Sequence, residues 1–452
     1  MTSIHDVESQ LDLNAFVYKG VNVWPCLRRI IGWELIVARS DKSTVAKKRP
    51  SRLAAILRLI YSFKDVYKLF YSYDVIYLSD SDDYRVFQGR LVNRFTEQLS
   101  TDLSDLKILE IQKGATSLVQ SPFDHVRTVP YNLIKLFIKL MARFDSQQLP
   151  IKALTELSKV SLPLDANKLF REFLIEQEFF TLLYQRVQAK VVLSSCYSYM
   201  PAIKAANDLG LQTLEFQHGT IVNHWAYDIR NDVEPTYYPQ YFMAFGHFSA
   251  AFIRQSFYCK KESVVELGHY LLSLYKQSQC SDIQALKKEY DVVIAVTLQW
   301  PIQTEMLAYV SAQARENKHC CFVLIPRDKK AFDTSCLTED NMRAFLKRDT
   351  YELIAASDFH LTGYSTCAEE APFFGVQNIF LNINGLSKHY FADYIRDKSY
   401  NTVLEPHQSI RSLPQLLKRV DKDSVISESA DIISTEYQQG YKTLVTIIRD
   451  AV

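Results

Sequence analysis

Ten short apolar runs, spaced along the chain and separated by longer stretches of helical periodicity, restrict the fold more than any other feature. They are VIYLS (75–79), KILEI (107–111), VVLSS (191–195), TLEFQ (213–217), YFMAF (241–245), VVELG (264–268), VVIAVTLQ (292–299), CFVLIP (321–326), FHLTG (359–363) and NIFLNI (378–383). Most are continuously apolar rather than alternating, the pattern of parallel strands covered on both faces. Helical periodicity occupies 165–189, 201–209, 303–317, 340–356 and 411–421. Strand and helix in alternation predict an α/β fold with right-handed crossovers.

With 452 residues the chain exceeds one typical domain, and two domains of roughly 200 residues each are expected. The polar stretch YKQSQCSDIQALKKEYD (275–291) is the best boundary. The sequence therefore divides into a helical N-terminal extension (1–70), a first Rossmann-like domain (71–275), a second (285–425) and a C-terminal helix (426–452). Two such domains facing across a cleft is the expected architecture.

Lys and Arg number 52 against 51 Asp and Glu, a net charge of +1, so no global field recruits nucleic acid. One local bias stands out. Residues 42–68 carry Lys42, Lys47, Lys48, Arg49, Arg52, Arg58, Lys64 and Lys68 against the single acid Asp65. Interleaved with Leu, Ile, Phe and Tyr, this stretch reads either as an element lying on an anionic membrane or as an amphipathic helix packed on its own domain. The eight cysteines form no C-x-x-C pair, so buried free thiols in a reducing compartment are expected, with no zinc site. Neither a signal peptide at the N-terminus nor an apolar run long enough to span a bilayer is visible, so a cytoplasmic protein is expected.

The informative residues gather at predicted strand ends. Gln217-His218-Gly219, Gly246-His247 and Gly268-His269 each follow a strand, with His224 close behind the first. Ligands of open α/β sheets bind beyond the carboxyl ends of strands, although Gly-His pairs also serve simply as turns. In LTGYSTCAEEAPFFGV (361–376) a strand ends at Gly363, and Ser365-Thr366 opens a helix bearing Glu369 and Glu370. Such a start suits phosphate; equally, Thr366 and Glu369 read as a capping box, leaving Glu370 to project independently. Pro372 is expected to shorten or kink that helix. Arg327, Lys329 and Lys330 follow the strand of VLIPRDKK (323–330), and Gln299 closes VTLQ (296–299).

LEFQHG (214–219), VTLQ, IPR (325–327) and YSTCAEEAPFFGV (364–376) together resemble bacterial surface-polysaccharide glycosyltransferases of GT-B fold. The segment CYSYMPAIKAANDLGLQTLEFQHGTIVNH (196–224) is similar to part of their first domain. The resemblance covers roughly residues 190–425. It implies transfer of a sugar from a nucleotide-sugar donor to a glycan or lipid-linked acceptor, for a capsule, O-antigen or related polysaccharide. It also implies a cytoplasmic location, with peripheral contact at the anionic inner membrane, and no nucleic acid partner. His218 would lie near the acceptor and the reacting sugar, with Gln217, Gly219, His224, His247 and His269 lining the acceptor side. Gln299, Arg327, Gly363, Ser365 and Thr366 would serve the donor, and Glu370 would hold the ribose. One departure is Ile325-Pro326, where relatives often have His-Pro.

Such enzymes stabilise the leaving nucleotide with backbone dipoles and cations, so no metal or cofactor is expected. Asp80-Ser81-Asp82 is the one motif that would fit a metal-dependent transferase. An inverting reaction needs a general base, for which His218 leads, with Asp228, Asp232 and Glu234 as carboxylate alternatives. A retaining route through Asp232 as nucleophile is the other option. A nucleotide-sugar epimerase, a glycerophosphate transferase and a noncatalytic binding subunit are the competing functions.

Overall fold

The apolar runs fold as parallel strands, and a computed structural model describes residues 3–39, 64–114, 119–160, 165–222, 224–276, 278–396, 398–412 and 421–452. Two compact units emerge: residues 1–267 with 436–452, and residues 268–435.

Unit 1 holds a seven-stranded sheet: β1 Val75–Asp80, β2 Ile108–Lys113, β3 Val126–Pro130, β4 Val191–Ser194, β5 Gln212–Phe216, β6 Tyr241–Ala244 and β7 Val264–Glu266. Its order across the sheet is 3-2-1-4-5-6-7, parallel throughout. Unit 2 holds β8 Val292–Thr297, β9 Cys320–Ile325, β10 Met342–Arg343, β11 Phe359–Thr362, β12 Gln377–Leu381 and β13 Asn401–Leu404. Its order is 10-9-8-11-12-13, again all parallel. Both orders are those of a doubly wound, dinucleotide-fold sheet. In each, the chain reverses its direction of travel beside the first strand: between β1 and β4 in unit 1, between β8 and β11 in unit 2. Those reversals open crevices at the strands' carboxyl ends.

Every predicted strand is present, and β3, β10 and β13 were not foreseen. All three lie at a sheet edge, where a short strand needs only one apolar face. The expected helix over 340–356 is corrected. Asn341 is buried and its amide donates to the carbonyls of Ala314, Asn317 and Cys320, which pulls Met342–Arg343 into the sheet. The helix begins only at Thr350, where Asp349 caps the Tyr351 amide at 2.8 Å. Most of the 411–421 stretch, and residues 42–63 of the basic run, lie outside the described residues. From the rest of that run, Lys68 pairs with Asp65 at 2.7 Å and donates to the Thr128 carbonyl.

The N-terminal extension is part of unit 1. Helix Ile4–Glu8, started by a Ser3–Asp6 capping box, and helix Trp24–Arg39 share a core with Phe170, Tyr227, Phe242 and Tyr258. A polar clamp fixes their position. Arg28 and Trp24 both donate to Glu8 Oε1 at 2.8 and 3.0 Å, and Arg28 also reaches the carbonyls of Trp225 and Asp228. His5 bridges Glu8 (3.1 Å) and Asp228 (2.8 Å). Gly32 lies directly under the Trp225 ring, where any Cβ would collide. The C-terminal portion splits into helix Lys422–Glu428 of unit 2 and helix Tyr437–Ala451 of unit 1. The latter is docked by Gly440 against the Glu266 carbonyl and by Arg449 on Asp105 at 2.8 Å. Among the described residues no helix is long and apolar enough to cross a membrane.

The clamp and the buried acids of the sheet both bear on stability. Arg28 and the Glu8 carboxylate are nearly sealed from solvent, and removing one member of a buried pair leaves the other charge uncompensated. Glu8→Ala is expected to cost about 3–5 kcal/mol of unfolding free energy in denaturant titration. Burial also raises the Glu110 carboxyl to about 7 and the Glu215 carboxyl to about 8. The folded chain then holds protons that the unfolded chain releases, so stability falls as pH rises from the ordinary carboxylate range through those values. The melting temperature should decline from about pH 5 to about pH 8, and Glu215→Gln should flatten the upper part of that decline.

Candidate functional site

The crevice between β1 and β4 in unit 1 is lined by residues just past the ends of three strands: Asp83 after β1, Ser195 after β4 and His218 after β5. Asp80 caps the short turn Ser81–Asp83, accepting from the Asp82 amide at 3.1 Å. Asp83 closes the turn in return, taking the Asp80 amide at 2.8 Å and the Tyr77 hydroxyl at 3.2 Å on Oδ2. The Asp-Ser-Asp motif thus has a local structural job, and among the described residues no cluster of metal-ligating side chains forms.

Asp83 is wholly buried, and its Oδ1 makes no hydrogen bond of normal geometry. Opposite it, 3.7 Å away, lies His218 Nδ1, an atom also buried and unpaired. The His218 side chain as a whole is 40% exposed, so one edge faces the carboxylate while the rest of the imidazole meets solvent. Burial raises the Asp83 carboxyl to about 6, against the pull of Arg94, the Asp80 amide and the nearby Ser195 hydroxyl. Burial of its inner edge, with the Arg94 and Arg85 guanidinium groups nearby, pushes His218 down to about 3; solvent on the exposed edge tempers that depression. The imidazole is neutral at pH 7. Arg94 fixes the strand end by donating to the His218 carbonyl while lying 4.4 Å over the Phe95 ring, which stacks on Phe216. The Ser195 hydroxyl is a third buried group here without a well-formed hydrogen bond.

Gln217 is buried and holds adjacent strand ends together. Its amide accepts from Phe245 N at 2.7 Å and donates to Ser249 Oγ and to the Gly219 carbonyl. The remaining unit 1 candidates lie elsewhere. Asp228 belongs to the N-terminal clamp: although burial opposes ionisation, His5 and Arg230 hold its carboxyl well below the usual range. His224 packs among Tyr197, Trp225 and Tyr227, and its Nδ1 accepts from the Ala226 amide. His247 opens helix His247–Gln255 and pairs with Glu266 at 3.1 Å. Asp232 is exposed and Glu234 half-buried, bonded to Thr236.

In unit 2, His269 caps helix Tyr270–Tyr275, accepting from the Leu272 amide. The β8–β11 crevice is closed by a buried polar chain. Asn378 bonds His360 at 2.9 Å, His360 bonds Thr297 at 2.8 Å, and Thr297 bonds Thr362 at 3.0 Å. Gln299 ends the chain, donating to Thr362 and accepting from the amides of Gly363 (2.9 Å) and Tyr364 (3.2 Å). Gly363 approaches so closely that a Cβ would meet Ile302 at 2.5 Å and Gln299 at 2.8 Å.

The predicted capping box is corrected. Thr366 makes no side-chain cap bond, and Ser365 Oγ instead accepts from the Cys367 amide at 3.3 Å. The helix is a single turn, Cys367–Glu370, passing into a 3₁₀ turn that contains Pro372. Glu370 does not project: it is buried and accepts from the Tyr351 hydroxyl at 2.8 Å. Arg327 is exposed just beyond β9. Near it, Tyr364 stacks on Tyr390 with centroids 5.3 Å apart.

Sequence reasoning missed Asp83, Arg94 and Ser195. Asp83 directly follows the Asp-Ser-Asp motif, and the strand-end position was the available signal.

No family model matches the chain, and no curated protein matches it. Solved structures do. A variant of the wall teichoic acid polymerase TagF aligns at 13% identity over 97% of this chain and 98% of that one, TM-score 0.50. UDP-GlcNAc 2-epimerase from Neisseria meningitidis aligns at 11% over 83% of this chain and all of that one, TM-score 0.48. A glycosyltransferase from Rickettsia africae aligns at 13% over 84% and 98%, TM-score 0.44. Two doubly wound units, with the TagF alignment running almost the full length of both chains, give this protein the GT-B fold.

Proposed function

We propose that the protein is a glycosyltransferase that moves a sugar from a nucleotide-activated donor to a glycan or lipid-linked acceptor of a bacterial surface polysaccharide. The observation that carries this reading is the Asp83–His218 pair at the unit 1 switch point. A neutral imidazole takes the proton of an acceptor hydroxyl as that oxygen attacks the anomeric carbon, whose bond to the donor phosphate oxygen breaks and releases the nucleotide with the electron pair. The imidazolium so formed gains the facing Asp83 carboxylate as a counter-ion, and the Ser195 hydroxyl lies near enough to donate to that carboxylate. No other acid among the notable residues has this placement, since Asp228 is committed to the clamp.

The donor nucleotide is assigned to the unit 2 switch point. Arg327 meets its phosphates, the Gly363–Ser365 turn offers hydroxyl and backbone groups, and the Tyr364–Tyr390 stack offers a face to the base.

His218→Ala is expected to lower kcat by about 10²–10⁴-fold with the fold intact by circular dichroism. Because Asp83 must be ionised to stabilise the imidazolium, kcat should rise with pH through about 6, and Asp83→Asn should abolish that rise. Normal turnover by His218→Ala, with Asp232→Ala inactive, would move the chemistry to the carboxylate. Free epimerised sugar released without acceptor would identify an epimerase instead. In a thermal-shift series with UDP, GDP, CMP, dTDP and CDP, one nucleotide should stabilise the protein. Arg327→Ala should then weaken that nucleotide by about 1.5–3 kcal/mol, the range for charged hydrogen bonds.

A further inference from the structure

Unit 1 carries an apolar face unrelated to its strand ends. Helix Tyr131–Met141 turns Tyr131, Ile134 and Ile138 inward, yet much of its outward surface is apolar as well, beside exposed Asn132, Lys135 and Lys139. Leu136, Phe137, Leu140 and Met141 are 43–51% exposed and Phe144, just past the helix, is 80% exposed. Phe70 and Leu182, at 62% and 61%, extend the face onto the turn Val66–Phe70 and helix Ala166–Val187. Between these elements runs an open groove of about 620 Å³, lined mainly by Phe70, Phe137, Met141, Phe144, Phe179 and Leu182.

The charge pattern says what covers this face. From Val126 to Phe144 the sequence holds Arg127, Lys135, Lys139 and Arg143 and no acid. Lys135, Lys139 and Arg143, all exposed, recur at four-residue spacing along one flank of the apolar sector, and Arg186 borders the other side, its guanidinium bonded to the Phe70 carbonyl. The acids at the groove are Asp145, which already accepts from the Gln147 amide, and Glu178. An apolar sector flanked by long basic side chains is the arrangement that lies in a lipid interface, with the chains snorkelling to headgroup phosphates. A twofold contact with a second copy would instead set this basic flank near itself, with few acids to answer it. We propose that this face, built by Tyr131–Phe144 with Phe70 and Leu182, docks unit 1 on an anionic lipid surface. The proposal does not depend on the transferase reading.

The test is co-sedimentation of the full chain with vesicles of phosphatidylcholine alone or mixed equally with phosphatidylglycerol. Binding to the anionic vesicles at low salt and release in 1 M NaCl, where the Debye length is about 3 Å, are expected. Leu140→Asp/Phe144→Asp replaces exposed side chains only and should weaken binding at least about tenfold, as loss of a buried apolar side chain does. Lys135→Glu/Lys139→Glu should do the same by charge. Circular dichroism and an unchanged melting temperature confirm that the variants are folded. Absence of binding to anionic vesicles at low salt overturns the proposal. So does wild-type binding by both folded variants, which would place the contact elsewhere. A wild-type dimer in light scattering that Leu140→Asp/Phe144→Asp turns monomeric, without vesicle binding, would assign the face to a second copy.

Discussion

A parallel sheet covered by helices on both faces admits a ligand only at the carboxyl ends of its strands, and a gap opens there only where successive connections turn to opposite faces. Both units obey this constraint, and their notable polar residues are placed by it. The two gaps are filled differently. Beside β8 and β11 a continuous chain runs from Asn378 through His360, Thr297 and Thr362 to Gln299, whose amide meets two backbone N–H groups. Beside β1 and β4 the network stays open, with Asp83 Oδ1, His218 Nδ1 and Ser195 Oγ buried without well-formed hydrogen bonds. Each such atom costs on the order of 1–3 kcal/mol. A satisfied network makes a rigid floor for binding. An unsatisfied one retains groups that can change protonation during turnover, which is why the chemistry is assigned to unit 1.

Unit 1 offsets this cost close by. Gln217, one residue before His218, bonds three neighbours and fixes the end of β5. Arg94 holds the next carbonyl from the opposite side. Further out, Glu8, Arg28, His5 and Asp228 lock the succeeding loop to the N-terminal helices. Three layers of polar anchoring thus position the backbone that carries one imidazole, whose Nδ1 faces Asp83 without a well-formed hydrogen bond. A backbone fixed this firmly holds the side chain at the position that the proposed proton acceptor needs.

The strands were legible in the sequence because burial on both faces makes each a continuous apolar run. The helix over 340–356 was overread because its apolar spacing persists through Asn341, whose three carbonyl contacts come from residues that no local window contains. The residues of the candidate site were legible as strand-end letters, but their partners were not. His218 stands out after β5, while its partner Asp83 follows a strand far upstream and reads as the tail of an acidic motif. Asp228, His224 and Glu370 look equally reactive as letters. Folding gives the first to the clamp, the second to an aromatic cluster and the third to Tyr351. Charge and polarity are properties of a residue; availability is a property of its neighbours.

The three histidines at strand ends show how far local order alone carries that distinction. In Gly246-His247 and Gly268-His269 the glycine comes first, so the chain has already turned when the histidine arrives. Each histidine then belongs to the start of a helix: His247 is the first residue of His247–Gln255, and His269 caps Tyr270–Tyr275. In His218-Gly219 the order is reversed. The histidine lies two residues beyond Phe216, the last residue of β5, and Gln217 points to the neighbouring strand. Alternation along an extended chain sends the next side chain the other way, toward Asp83. Gly219 turns the chain only after the imidazole has been placed. Here the histidine on the strand side of its glycine faces the crevice and the two on the helix side begin helices, so the order of two letters separates the proposed proton acceptor from the helix starts.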